Sequence, residues 1–591
     1  MYDSATPAPL NLRYSYNAIF SDICKTRFNY LATRLLLTLS VVSGAAVTIM
    51  GRWDINTWER MLLFPVKALL VYFALLLVII TRKNYLHVQF LGYSNTITFV
   101  YGEFFSLKFV LYQITHIVSG LLISLSLSGV LYDSKHSIPV LYRRLNEWML
   151  VPLIYTVQHL AFDLGRLSFN YGHHRQSCQA FILSRTRDSF VKCCVLTAAT
   201  FVLQPVVYFM LTTKLSVGFL AYIQTTILAF ITFQLWDLTN IAFNAYLSIG
   251  CLHKGKPISS LSSTPMETLV TGLNSKRMFT RLTAFQELSY RATSPEVQMR
   301  LPIYHTRYGN SHIWTNILRE CLVTIQESNK NIADFLKSLE QSKETFSSAK
   351  QMNFSPLSQD DVLFGNQPAL STAAYPQAHL PTPSQRLNKD PLDSGAGVAA
   401  ARYFPGQSAR QFIQPAHSYN PPIFTQQPSM LHLVQDVANY LTKFLVSFFF
   451  PGQANASGSK RPLSFFELWT ISKKHQAEKL IPLPSCYAEC VIALMGMLIN
   501  SLDEDPKGSV VSSVGEVLKI LERSVGSLGT FVEWELPSSS DSGPDAISVL
   551  YDLTINVFLE IVLKYNELLN DVYLDDDVVK LSQWVLQTCN E

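Results

Sequence analysis

The side chains best suited to chemistry are few and scattered. His159 and Asp163 are close in sequence, but the His and Asp pair of membrane acyltransferases needs four intervening residues and here there are three, so catalysis is not expected from them. His173 and His174, followed by Arg175, bring two imidazoles together without a third or fourth ligand at metal spacing, which reads as a solvated loop. Gln113, His116 and Gln158 fall inside apolar runs. Polar groups so placed either mark a transport path or hydrogen-bond between helices, and the second is expected. The nine cysteines, including adjacent Cys193 and Cys194 and the spaced pair Cys486 and Cys490, lack the density of a disulfide scaffold and read as reduced thiols engaged in packing. There is no phosphate-cradling loop ending in Gly-Lys-Ser or Gly-Lys-Thr, no HExxH and no GxSxG. With no nucleophile, base and orienting group in one place, the chain is not expected to be an enzyme or to need a cofactor, a metal or a small-molecule substrate.

The elements that would position these residues lie mostly in lipid. Mean hydropathy is +0.18 and only 15% of the 591 residues are charged, which argues against a wholly soluble protein. A net charge of +4 is too small for its length to imply direct binding of nucleic acid. Six apolar runs crowd the first 240 residues: Leu35 to Met50, Met61 to Ile80, Phe109 to Leu131, Trp148 to about Leu164, Val191 to Leu211 and Val217 to Leu235. Spanning the hydrocarbon takes roughly 20 apolar residues in a helix. The first run is short, with small residues Ser43, Gly44, Ala45 and Ala46 at its centre, and the fourth is interrupted by Pro152, Gln158 and His159. The last two are separated by a few residues around Lys214, which predicts a tight helical hairpin. No cleavable signal peptide is visible, since a polar start with Arg13, Lys25, Arg27 and Arg34 precedes the first run. Lys and Arg number eleven in the amino-terminal segment and the loops on its side, against six on the other. Basic residues resist translocation, so both termini are expected to face the cytosol or the compartment continuous with it.

The expected fold class is therefore all-α: a polytopic six-helix transmembrane bundle, then a disordered linker and a helical cytosolic or nucleoplasmic domain. Its divisions are a cytosolic amino-terminal segment (1–34), the six-span domain (35–240), a helical aqueous segment (241–354), a Pro/Ser/Gln-rich linker (355–428) and a helical carboxy-terminal domain (429–591). In the linker, composition cannot bury enough surface to offset chain entropy. Leu318, Leu322, Ile325, Ile332 and Phe335 show helical spacing in the aqueous segment. Val510, Val514, Val517, Leu518, Leu521 and Val525 do so near the end, as does the stretch from Ile547 to Leu569. The stretch from Met430 to Phe450 forms an amphipathic helix by period, stopped by Pro451. Its face of Val434, Val437, Leu441, Phe444 and Phe448 is the candidate partner- or membrane-binding surface, although packing in the carboxy-terminal domain fits the pattern too. The sequon at Asn455 would be silent on the cytosolic side.

Two blocks resemble one family. The text NLRYSYNAIFSDICKTRFNYLATRL at residues 11–35, just before the first span, resembles the opening block of the nuclear division cycle family of transmembrane nucleoporins, fungal type. SLDEDPKGSVVSSVGEVL at 501–518 resembles that family's carboxy-terminal acidic-then-glycine block, with departures at Pro506, Lys507, Ser512 and Ser513. The order of parts also agrees. The resemblance implies a multi-pass protein of the nuclear envelope, at the pore membrane and the spindle pole body. It would anchor the pore scaffold there, serve nuclear pore complex assembly and so mRNA transport, protein transport and translocation, and help insert the spindle pole body. Its implied partners are the membrane, other transmembrane and scaffold nucleoporins, and spindle pole body components. Phe364 and Gly365 are the one Phe-Gly pair of the linker, so anchoring rather than cargo binding is expected. The competing class is a polytopic membrane transporter, which should show paired broken helices and midplane ionisable groups.

Overall fold

The structure, a computed structural model, describes residues 15–50, 57–131, 140–167, 178–212, 219–248, 250–308, 311–352, 473–534, 545–569 and 574–590. The expected linker and the Met430 to Phe450 helix lie outside the described residues. Among those described, the secondary structure is helical apart from two two-residue antiparallel hairpins, β1 (Leu252–His253) with β2 (Lys256–Pro257) and β3 (Arg307–Tyr308) with β4 (Ser311–His312), and an isolated parallel bridge between His87 and Arg166. They divide into two compact units. One comprises Met1–Arg291, Asn420–Glu489 and Ser538–Ser542, and the other Ala292–Tyr419, Cys490–Pro537 and Gly543–Glu591.

In the first unit, α1 (Tyr16–Tyr30) runs through a π-helical stretch, Leu31–Leu36, into α2 (Leu37–Met50). The first span is thus the end of a longer helix, which answers the shortness of its apolar run. Then come α3 (Thr57–Asn84), α4 (Thr96–Phe104) and α5 (Leu107–Leu131). The fourth run is α6 (Val140–Leu145), a π-helical stretch Asn146–Leu150 and α7 (Val151–Ala161). Pro152 follows directly on the π-helical stretch inside one continuous helix, and the widened turn before it accommodates the missing N–H. The helix ends before Asp163, whose positive φ of 46° turns the chain, so this run stops short of Leu164. Next are α8 (Cys178–Thr212) and α9 (Phe219–Leu247), longer than their apolar runs because both continue into polar sequence. Residues 213–218, where the hairpin turn was expected, lie outside the described residues, but the two helices pair: Gln204 donates to Thr225 at 2.7 Å. Hydroxyls within the spans mostly bond back to carbonyls one turn earlier, as Thr48 does to Gly44 and Thr239 to Leu235, because lipid offers no other partner. Gly44 lets α2 approach α3 so closely that a Cβ there would lie 3.0 Å from that of Ala68.

The unit also contains α10 (Pro265–Leu273), most of α11 (Met278–Thr293), α14 (Lys473–Leu480) and the first residues of α15 (Pro484–Glu504). The second holds α12 (Val297–His305), α13 (Ile313–Met352), the rest of α15, α16 (Val514–Glu533), α17 (Ala546–Tyr565) and α18 (Asp576–Asn590). Leu318, Leu322, Ile325 and Ile332 of α13 are buried, as are Val514, Val517, Leu518 and Leu521 of α16. Val510 is buried too, but just before the short 3-10 turn that precedes α16.

Candidate functional site

Six described helices have the length and apolarity to cross a membrane: α3, α5, α8, α9, α15 and α17. The first four match expected spans. The first and fourth expected spans are absent from this set because their π-helical stretches divide them into shorter α-helices. Side-chain exposure separates the remaining two. Val42 on α2, Leu62 on α3, Ile114 on α5, Val157 on α7, Val202 on α8 and Ile227 on α9 are all exposed, with many apolar neighbours. No large hydrophobic on α15 or α17 is exposed. A spanning helix needs apolar atoms to present to acyl chains, so the lipid-facing girdle belongs to the bundle, and α15 and α17 are core helices.

Inside the bundle lies a polar core. Arg82, near the end of α3, is fully buried. Its Nη1 donates to the carbonyl (2.7 Å) and Oδ1 (3.0 Å) of Asn240, and its Nη2 to the Leu164 carbonyl (2.9 Å) and Asn244 Oδ1 (2.5 Å). The guanidinium also lies over the Phe243 ring, 4.8 Å from its centroid. One cation thereby ties α3 to α9 and to the loop after α7, using the fork of donors that lysine lacks. Asn240 in turn donates to the Tyr155 hydroxyl at 2.7 Å. Trp236 donates to Ser119 at 2.8 Å, and Ser119 to the Ala74 carbonyl at 2.9 Å. Between α8 and α9, Lys192 and Ser189 reach the two carboxylate oxygens of Asp237 at 2.5 and 2.6 Å. These groups hold helices together where water cannot compete.

The residues singled out by type behave differently from one another. Asp163 turns away from His159 and pairs with His87, Nε2 to Oδ1 at 2.8 Å, with Arg166 at 3.6 Å on its other oxygen. His159 is buried among Tyr112 and Tyr155, and neither of its ring nitrogens has a hydrogen-bond partner in the structure. His116 does bond across helices, to Thr156 at 2.9 Å, whereas the side-chain carbonyls of Gln113 and Gln158 are without partners. His173 and His174 lie outside the described residues, as do Val434, Val437, Leu441, Phe444 and Phe448. Cys24, Cys193, Cys194, Cys251, Cys321, Cys486 and Cys490 are free thiols, most of them buried. Sequence reasoning missed the Lys192 and Asp237 pair. Its signal was present: the two stand symmetrically about the hairpin turn, and Asp237 marks where the sixth apolar run breaks off.

Both blocks of family-like text have structural work. In the first, Ser15 caps α1, Tyr16 is buried with its hydroxyl donating to Glu287 at 3.1 Å, Asn17 accepts from Thr280 at 3.1 Å and Arg27 donates to the Leu252 carbonyl at 3.0 Å. Glu287 also accepts from Arg291 at 3.1 Å and from the Ser259 amide. In the second, Asp505 closes a turn by accepting from the amides of Lys507 (3.1 Å) and Val510 (2.8 Å). Gly508 supplies a φ of +62° in that turn. Ser501 and the Tyr565 hydroxyl share a hydrogen bond of 2.8 Å.

Comparison with known proteins agrees with this placement. A family model described as "Nucleoporin protein Ndc1-Nup" matches residues 22–583. The curated protein "Nucleoporin NDC1" of Chaetomium thermophilum is 23% identical over 304 residues, an alignment covering 50% of this chain and 44% of that relative. This chain therefore aligns with less than half of that relative's length.

Proposed function

Because the chain belongs to the Ndc1-Nup family of nucleoporins, we propose that it is a membrane anchor of the nuclear envelope, seated in the pore membrane and at the spindle pole body. In this role it serves nuclear pore complex assembly and spindle pole body insertion, and through the pore mRNA and protein transport. The supporting observation is the division of exposure between the two units. A girdle of exposed apolar side chains on six helical runs suits permanent residence in lipid, while the helices of the second unit bury their own apolar faces and leave a polar surface for soluble partners. Both termini face the cytosol or nucleoplasm in this reading, on the loop-charge bias. The partners are other transmembrane nucleoporins, scaffold nucleoporins and spindle pole body components. The divisions at 34, 240, 354 and 428 belong to the same reading. A transporter is less well supported, since Arg82 is locked by four hydrogen bonds and Lys192 by Asp237, which suits a static bundle. The test is localisation of the tagged full chain: a punctate nuclear rim is expected, and residence in another membrane overturns the proposal.

The face of Val434, Val437, Leu441, Phe444 and Phe448 is the proposed partner- or membrane-binding surface of the aqueous half. Replacing Leu441, Phe444 and Phe448 with Asp should abolish recovery of scaffold nucleoporins or liposome binding by the aqueous half, each buried apolar side chain being worth about 1.5–3 kcal/mol. Unchanged fold, partners and liposome binding together would remove the surface from consideration.

A further inference from the structure

The short helix α4 is inside out for a helix in water. Its one charged residue, Glu103, points into the protein and is only 4% exposed. There it accepts from Tyr93 at 3.2 Å and pairs with Lys108, in the first turn of α5, at 2.8 Å. The opposite side carries Tyr101 (68% exposed), Val100 (44%) lies on the flank, and Phe105 (78%) and Leu107 (73%) follow after the helix. Tyr101 and Phe105 stack on each other, ring centroids 5.1 Å apart. In water this arrangement would leave a large apolar patch uncovered and bury a carboxylate, each at a cost.

The placement of the patch identifies what covers it. Leu107 opens α5, and the exposed stripe continues down that span through Val110, Leu111 and Ile114, residues that face acyl chains. The patch is thus the upper end of the lipid-facing surface. At nine residues, α4 is roughly 14 Å long and cannot cross the hydrocarbon. Tyrosine at the end of a span is a residue type that settles at the boundary between headgroups and chains, and phenylalanine suits the buried apolar face of an interfacial helix. We propose that α4 is an interfacial helix, lying in the bilayer leaflet that α5 enters, with Tyr101 and Phe105 immersed at the headgroup and acyl boundary. The Glu103 to Lys108 pair fixes α4 to the span, so the helix enters the leaflet as part of a rigid corner rather than as a free amphipathic segment.

The test uses the full chain reconstituted in phospholipid vesicles, with a photoreactive benzoyl-phenylalanine placed singly at positions 99, 101, 105 or 114. Position 114 lies on the span and reports lipid in any correctly inserted sample. Phe99, half-buried with its ring against Tyr93 and His475, reports contact with protein. After illumination, mass spectrometry should find phospholipid adducts at 101 and 105 at a yield close to that at 114 and several-fold above that at 99. Lipid adducts at 114 without them at 101 and 105 overturn the proposal, whether those positions instead link to a second copy, to another protein, or to nothing. Placing the probe at two positions keeps the result readable if one of them fails to insert.

Discussion

The two units expose similar helices differently. α8 of the bundle and α17 of the second unit both have the length and apolarity of a span, yet α8 exposes Phe201, Val202, Leu203, Val206 and Met210, and α17 exposes no large hydrophobic. In the bundle, apolar residues point outward and the buried positions include polar ones, Arg82, His116, Ser119, Asp237 and Asn240. In the second unit, the buried positions are mostly aliphatic. Hydrophobicity alone does not distinguish the two, because it measures how much apolar surface a helix carries and not which medium covers it. The distinction lies in where the polar residues sit: lipid drives them inward, and water draws them outward.

The comparison is broken most directly at the polar core. Asp237→Ala leaves the Lys192 ammonium buried without its carboxylate, which should cost about 3–5 kcal/mol. Thermal aggregation of the full chain in detergent micelles should start well below that of the parent. Lys192→Met together with Asp237→Leu should recover most of the loss, since an apolar pair of similar volume needs no partner. A single Asp237→Ala variant as stable as the parent would show that the pair is not buried in the native bundle.

Truncation in the second unit should act by the opposite mechanism. Leu518, fully buried in α16, reduced to Ala should cost about 2–5 kcal/mol through lost burial and a cavity. Hydrogen exchange of α16 and α17 in the full chain should accelerate accordingly, with the spans unaffected. Equal acceleration in the spans would mean that the two units unfold as one.

Much of this architecture was legible in residue order. Span positions followed from run length, and the stripe of α16 from the 3.6-residue period, because both depend on local composition that any helix must satisfy. Which polar groups meet was not legible, since it depends on rotation of one helix against another. Asp163 could not be assigned to His87 rather than His159 without the positive φ that turns it, and Arg82 reads in sequence as a charge closing a span. The π-helical stretches also escaped, because residues 31–36 and 146–150 are of types that an ordinary α-helix accepts equally well. The inverted amphipathicity of α4 is visible only once Glu103 is seen facing inward.

An effect read against pH rather than against truncation comes from Glu489, near the start of α15 and outside the girdle. Burial raises its carboxyl to about 8, an effect partly offset by its hydrogen bond with the Ser289 hydroxyl. The folded state thus holds a proton that the unfolded state releases near 4.5. The stability this contributes is complete below that value and is lost as pH rises through about 8, at up to about 1.4 kcal/mol per pH unit in between. Glu489→Gln, which stays neutral, should flatten this pH dependence, as read from exchange of the amides around α15 between acidic and mildly alkaline buffer. An unchanged slope would place the carboxylate in contact with water.

The smallest expected effect is the one that tests the comparison most closely. Leu203 on α8 is exposed in the bundle, so if lipid covers it, Leu203→Ala removes contacts with acyl chains that exchange freely and can fill the space. No cavity forms, and water is absent from both the parent and the variant, so the hydrophobic term nearly cancels. The change should stay within about 0.5 kcal/mol, the range of substitutions away from any packed feature. Leu518→Ala deletes the same atoms from a site enclosed by protein and should cost several times more. The two variants, measured in the same bilayer by the same exchange experiment, therefore report what covers each leucine rather than how hydrophobic it is. A loss at Leu203 equal to that at Leu518 would mean that protein, such as a second copy of the chain, covers α8 there, and the girdle would then be an interface between chains along this helix.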